Sequence, residues 1–210
     1  MDLGTIAGLW RYPVKSLKAE PLTHARILAD GLEGDRTAAL VVETPTHARA
    51  GKPYRGKESA QLHLTSDPET AASYAVDAKV MVTLDRGQPR WFDAGPVSVL
   101  FDLWVRDVEA LVGEALDPLR WRPNVYVRAA PEFTRREPAL VGTTLRAGSA
   151  VLLVVATISR CVTPTYDVGT GEPLPLVLEA VATQRGNVVG VYCEVVTPGE
   201  IALGDALRGD

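Results

Sequence analysis

"AVLLVVATISRCVTPTYDVGTG" (residues 150–171) passes from an apolar run to an arginine–cysteine pair and then to a loop rich in Thr, Pro, Asp and Gly. The run is rich in β-branched residues and too short to span a membrane, so it reads as a strand. Cys161 then stands at a strand end beside a loop. Two readings of its thiol are open: a small buried hydrophobe, or a sulfur that is used. The adjacent Arg160 favours the thiolate, the form that binds metals and attacks electrophiles. A thiolate suits thiophilic metals rather than Mg²⁺ or Ca²⁺. In the loop, Thr163, Thr165 and Asp167 offer side-chain oxygens. A hairpin turn accounts for Gly169 and Gly171, but not for the Arg-Cys pair before them.

Outward from this stretch the β signals recur. "NVYVRAA", "TTLRAG", "VVGVYCEVV" and "EIALGD" read as strands, as do "LGTIAGLWRYPV", "THARILAD", "RTAALVVE" and "KVMVTLD" nearer the start. "QPRWFDA" is expected to pair with "KVMVTLD" through a "DRG" turn. Helices are expected in three places. At 66–77, Ser66 and Glu69 fit a capping box and Pro68 sits in the first turn. Within "SVLFDLWVRDVEALVGE", Leu100, Leu103, Trp104, Val108, Leu111 and Val112 recur at helical spacing and Gly113 is a stop. The third runs from about Pro175 to Arg185. The sum is a mainly β protein with a few helices (α+β), built as a twisted or closed barrel.

The chain has 210 residues, 46% hydrophobic and 23% charged, which suits one globular domain or two intimately packed ones. Two cysteines make no disulfide framework, and free thiols in a reducing cytoplasm are the expectation. Cys193, in an alternating strand, reads as core. The first residues show no signal peptide. A net charge of −4 argues against a dedicated nucleic-acid binder. The charge is uneven, however: residues 120–160 hold seven arginines and only two acids, Glu132 and Glu137. Such an excess is either a solvated face or a seat for a small anion.

Four cationic segments besides the Arg-Cys pair invite attention. Lys15 and Ser16 follow the strand that Pro13 ends, where they suit phosphate or another anion. Arg36 opens a strand beside Asp35. Arg120 and Arg122 share a face if "RWRPNVYV" is extended, and Pro123 biases Arg122 away from helix. Asn124 can bond a turn or a ligand. The long loop 44–64 carries Tyr54, Arg55 and Lys57, which either gate or extend an anion site or belong to an exposed mobile loop. There is no Walker loop, no G-x-G-x-x-G turn, no C-x-x-C and no H-E-x-x-H, and His24, His47 and His63 have no metal-ligand spacing.

In order along the chain, "LWRYPVKSL", "GDR" opening a strand, "RWRPNV", "SRC" followed by a Thr and an Asp, "DVGTG" and "VVGVYCEVVTPGEIALGD" together resemble the MOSC domain family. This family is named for the C-terminal domain of molybdenum cofactor sulfurases and includes the mitochondrial amidoxime-reducing component. The resemblance implies an N-terminal β-barrel-like part over 1–95 and a MOSC part over 96–210, packed as closely as one structural unit. It implies molybdenum cofactor, a molybdenum on a phosphate-bearing pyranopterin dithiolene, and no need of pyridoxal phosphate. By motif, Cys161 would supply the thiolate to molybdenum, with Ser159 and Arg160 beside it. Lys15 and Ser16 would contact the cofactor, and Arg36 and Arg122 would hold the pterin or its phosphate. Asn124, Thr165 and Asp167 match further family positions. The family loop often runs Cys-x-x-Thr-Thr, whereas Pro164 stands here at the first threonine.

The function implied first is an oxidoreductase reducing N-hydroxylated or similar N–O compounds, a small-molecule substrate. A separate electron-donor protein would serve it, since no flavin, haem or iron–sulfur motif is present. Sulfur transfer through a Cys161 persulfide and storage or delivery of the cofactor are the alternatives. Without the anchor of the mitochondrial relatives, a cytoplasmic protein with no membrane or nucleic-acid partner is expected.

Overall fold

Strand β1 (Asp2–Arg11) buries Leu3, Ile6 and Leu9, a spacing of three that strict alternation would split between two faces, and its register shifts at Asp2/Gly4 and Ile6/Gly8 break that alternation. The computed structural model describes residues 1–57, 59–87 and 90–210. After β1 come β2 (Glu20–Leu22), β3 (His24–Leu28), β4 (Gly31–Leu32), β5 (Ala39–Val42), α1 (Pro68–Asp77) and β6 (Val82–Asp85). Then follow β7 (Val97–Phe101), α2 (Asp102–Val112), β8 (Val125–Ala129), β9 (Thr144–Ala147), β10 (Ala150–Ser159), α3 (Leu176–Gln184), β11 (Val188–Thr197), β12 (Gly199–Ala202) and β13 (Ala206–Gly209).

Seven strands in the order β1-β13-β9-β10-β11-β7-β8 return to β1 and close a mixed barrel. The β7–β8 pair is parallel, a pairing that needs a crossover, and α2 lies on that connection. Strand β2 extends the sheet from β1, while β12-β3-β4 and β5-β6 form small separate sheets. The protein is mostly β with three α-helices, as the sequence led one to expect.

There are two cores. The larger fills the barrel and its helices, with Ile6, Phe101, Trp104, Trp121, Val154 and Val191 among its members. The smaller gathers Val14, Leu17, Leu40, Tyr54, Leu62 and Ala75. The N-terminal segment serves both: β1, β3 and β4 bury residues in the larger core, while Val14, Leu17 and residues from Ala38 to Val80 build the smaller.

Local differences from the sequence reading have physical causes. "VSVLF" is the fully buried strand β7 and not the start of α2, so Leu100 lies on a strand. A strand buried on both faces carries no alternation to set it apart from helix. Leu111 is exposed, whereas Trp104, Val105 and Val108 face the core, and the helix ends at Gly113 in the left-handed region. The cap of α1 is Asp67, whose carboxylate accepts from the Glu69 and Thr70 amides, and not Ser66. The expected strand at 88–94 falls partly on Gln88 and Pro89, which lie outside the described residues. Residues 90–94 form no strand, and β6 pairs with β5 instead. Arg90 ties this segment elsewhere, donating to Asp30 and to the carbonyls of Leu32 and Asp35. Strand β13 was not foreseen.

Away from the cavity described next, Arg185 binds Glu137 at 2.6 Å and also pairs with Asp107, joining α3, α2 and the turn before β9. Both Arg185 and Glu137 side chains are almost wholly buried. Among the described residues no helix is long and apolar enough to cross a membrane.

Candidate anion and thiol site

Between the barrel wall and the smaller core lies a cavity of about 160 Å³. One side comes from the smaller core's segments: Lys15, Ser16, Arg36, Arg55, Lys57, His63 and the nearby Asp93. The other comes from the barrel: Ser98 of β7, Arg120 to Arg122, the end of β10 with Cys161 and Thr163, and Tyr192 of β11.

Of the residues singled out from sequence, Lys15, Ser16, Arg36, Arg122, Ser159, Arg160 and Cys161 all line this one cavity. Asn124, Thr165 and Asp167 lie outside its lining and brace it. Asn124 Oδ1 accepts from the Ser98 amide at 3.0 Å and from Arg36 Nη1 at 3.4 Å. Arg120 Nη1 donates to the Thr165 carbonyl at 2.8 Å and Arg120 Nη2 to Asp167 at 3.0 Å, which pins the loop after Cys161 to the wall. The Asp167 carboxylate also accepts from the amides of Gly169 and Thr170, and these bonds hold its pKa below the usual range.

Cys161 follows the end of β10, as its sequence position implied, and it is exposed. The buried-hydrophobe reading fits Cys193 instead, whose thiol is fully buried and raised in pKa by that burial. Cys161 Sγ lies 3.3 Å from Thr163 Oγ1. The Arg160 guanidinium is not held on this sulfur: it donates to the carbonyls of Val189 at 2.7 Å and Trp121 at 2.9 Å. Gly190 leaves room for it, since a Cβ there would sit 2.9 Å from Arg160 Nη2.

The cations are positioned by a strained backbone. Ser16, Arg36 and Arg122 have φ of 72°, 49° and 53°, a region L-residues other than Asn and Asp seldom adopt. Arg120 and Arg122 are not on an extended stretch. Asp117 caps a 3₁₀ turn over Pro118–Trp121, Arg120 lies within it, and Arg122 ends it in the left-handed region. The Arg36 amide donates to the Tyr12 carbonyl at 2.7 Å, and Asp35, itself buried, accepts from the Tyr12 amide. The buried Tyr12 ring then carries two guanidinium groups, Arg122 at 4.2 Å and Arg36 at 4.8 Å from its centroid. Burial raises the Tyr12 phenol to about 12, so it stays a neutral platform.

Charge pairing divides these cations. Arg36 pairs with Asp35, Lys15 with Asp93, and Arg120 with Asp167. Arg122 and Arg160 have no carboxylate partner among the described residues. Burial pulls both guanidinium groups down to about 10, and Arg122 Nη2 is buried without a hydrogen bond. Carboxylates act on them only from a distance, Asp35 and Asp93 on Arg122 and Glu137 on Arg160, so two guanidinium groups with no acid in contact can take an anion. The residues therefore fit an anionic group carrying a thiophilic metal: cations within, and an exposed thiol at the edge. Among the described residues no three His, Cys, Asp or Glu side chains gather as a metal site of their own.

The sequence reading did not single out Tyr12, His63, Asp93, Trp121 or Tyr192. His63 and Asp93 sit in segments with no periodicity and no motif, so no local signal marked them. Tyr54 is a buried core residue and not a gate, while Arg55 and Lys57 do line the cavity. Glu58, between Lys57 and His63, lies outside the described residues. Of the seven arginines in 120–160, three line the cavity; Arg128, Arg136 and Arg146 are exposed.

A family model described as the MOSC domain matches residues 92–208, and one described as the MOSC N-terminal beta barrel domain matches residues 3–86. Among curated proteins, none matches the chain. The crystal structure of the YuaD protein from Bacillus subtilis shares the fold, with a TM-score of 0.59 at 16% identity over 98% of this chain and 94% of that one. YiiM from Escherichia coli has a TM-score of 0.46 at 14% identity, over 95% of this chain and 69% of that one. YiiM from Geobacillus stearothermophilus has a TM-score of 0.44 at 18% identity, over 55% and 54%.

Proposed function

The chain belongs to the MOSC domain family, which binds molybdenum cofactor in some members, and we propose that this cavity takes that cofactor and that the loaded protein is an oxidoreductase for N-hydroxylated or similar N–O compounds. One observation carries the reading. Arg122 and Arg160, half-buried and with no carboxylate in contact among the described residues, line the same cavity as an exposed cysteine.

On this reading Cys161 is the protein's ligand to molybdenum, and Thr163, 3.3 Å from its sulfur, orients the thiolate. Arg36, Lys15 and Ser16 hold the anionic pterin from the smaller core's side, and Arg122 holds it from the barrel's. Ser159 and Arg160 flank the ligand from the end of β10. Asn124 steadies Arg36, and Asp167 with Arg120 and Thr165 holds the loop. The cofactor, when bound, supplies a two-electron couple that can accept an oxygen atom. Reduction of an N-hydroxyl compound to the amine and water takes up two electrons and two protons. The electrons come from a separate redox protein, and Lys15, paired with Asp93, is a cation at the cavity with protons to hold.

The test is to produce wild type and Cys161→Ala in a host that makes molybdenum cofactor. Metal is measured by mass spectrometry and pterin by fluorescence after oxidation. Near-stoichiometric molybdenum and pterin in the wild type, with molybdenum lost in the variant, is the expected result, followed by N–O reductase activity with a reduced donor. Folded wild type free of both would sink the proposal. An exposed thiol also suits a persulfide carrier, and in that outcome a persulfide on Cys161 is sought by mass spectrometry.

A further inference from the structure

We propose that His63 is a positioning residue for anion recognition: it fixes the Arg122 guanidinium in the cavity wall without cancelling its charge. The inference rests on the anion-holding reading of the cavity given above.

Arginine is only ever a donor. With Arg122 Nη1 at 3.0 Å from His63 Nδ1, that ring nitrogen is the acceptor and the ring is neutral. The surroundings agree: burial and then the Arg122 charge pull the imidazole down to about 3, against the backbone carbonyls of Ser16 and Gly56. The ring is held from two sides. A Cβ on residue 56 would lie 2.2 Å from His63 Cε1, so only glycine fits there. Tyr166 packs at 6.3 Å between centroids with 33° between planes.

The choice of partner sets Arg122 apart. Arg36 takes Asp35, Arg90 takes Asp30, Arg120 takes Asp167, Arg185 takes Glu137 and Asp107, and Arg160 is held by backbone carbonyls; among the described arginines of the cavity, Arg122 has a side-chain partner that is neutral. A carboxylate orients a guanidinium and neutralises it together. A neutral imidazole orients it alone, and the uncancelled charge is left for a ligand. The pair also stands in a wall common to two spaces. His63, Arg120, Arg122 and Thr163 line a second cavity of about 140 Å³ as well as the first.

The experiment compares His63→Gln with His63→Glu, which share shape and differ in charge. Inorganic phosphate is titrated into each cofactor-free protein by calorimetry, and pterin content is measured after expression in a cofactor-making host. Gln is expected to keep phosphate affinity within about threefold of wild type and to load pterin, and Glu to lose at least about tenfold and to load none. The Glu variant should melt no lower than the Gln variant, because it gains an internal ion pair. Should either fail to fold, His63→Asn and His63→Asp make the same comparison. Equal affinity and loading in the charged and neutral variants overturn the inference while leaving the cavity reading intact. A wild type that binds neither phosphate nor pterin overturns both.

Discussion

Replacing Arg122 by methionine should leave the stability of the empty protein almost unchanged while abolishing ligand uptake. Burial lowers the Arg122 guanidinium from 12.5 to about 10. At about 1.4 kcal/mol for each pH unit, holding that charge in the fold costs about 3 kcal/mol at neutral pH. Two contacts offset it. The stack on Tyr12 at 4.2 Å contributes about 1–2 kcal/mol, and the bond to His63 about 1–2 kcal/mol. Methionine keeps the apolar stem and sheds both the cost and the gains, so the net change should fall within about 1 kcal/mol. Equilibrium urea unfolding of the cofactor-free protein measures this, and pterin content after expression measures uptake. A loss of 3 kcal/mol or more, of the order expected for breaking a buried ion pair, would show that Arg122 is a structural cation and refute the reasoning.

Arg185→Met supplies the contrast. It leaves the buried Glu137 carboxylate with the half-exposed Arg136, at 3.4 Å, and should cost about 3 kcal/mol by the same urea assay. Adding Glu137→Gln in that background should recover part of the loss. The depressed Asp167 carboxyl gives a pH signature. Its contribution is complete above the ordinary carboxylate pKa and fades as pH falls through the lower folded value. Asp167→Asn should therefore melt lower than wild type at pH 7, with the gap narrowing below about pH 4 in melting curves taken across pH. A gap independent of pH would show that Asp167 acts through its shape alone.

Much of the fold was legible because alternation survives where one face meets solvent or a cavity. In β8, β10 and β11 buried residues recur at every second position for much of the length. It failed at β7, where all five residues are buried and helix and strand look alike. It failed at 90–94 because side-chain bonds from Arg90, invisible to periodicity, fix that segment. At the site, residues next to strand ends drew attention from the sequence, and Lys15, Ser16, Arg36, Arg122 and Cys161 line one cavity. The supports were not. His63 is separated from Arg122 by 59 positions and Asp93 from Lys15 by 78, and such pairs exist only once the chain has folded. Asn124, Thr165 and Asp167 drew attention by position, yet their place is behind the wall, holding the groups that face the cavity.

The left-handed backbone at Ser16, Arg36 and Arg122 sets heat tolerance against ligand capture. Each such non-glycine residue costs about 1–2 kcal/mol, a penalty glycine escapes. A mutant library sorted for thermal resistance alone would therefore enrich glycine at 16 and 122, while Arg36 is also kept by its pair with the buried Asp35. Its winners would be sturdier and have an eroded pocket. Sorting the same library in turn for heat survival and for bound pterin would separate the residues that serve the scaffold from those retained at its expense.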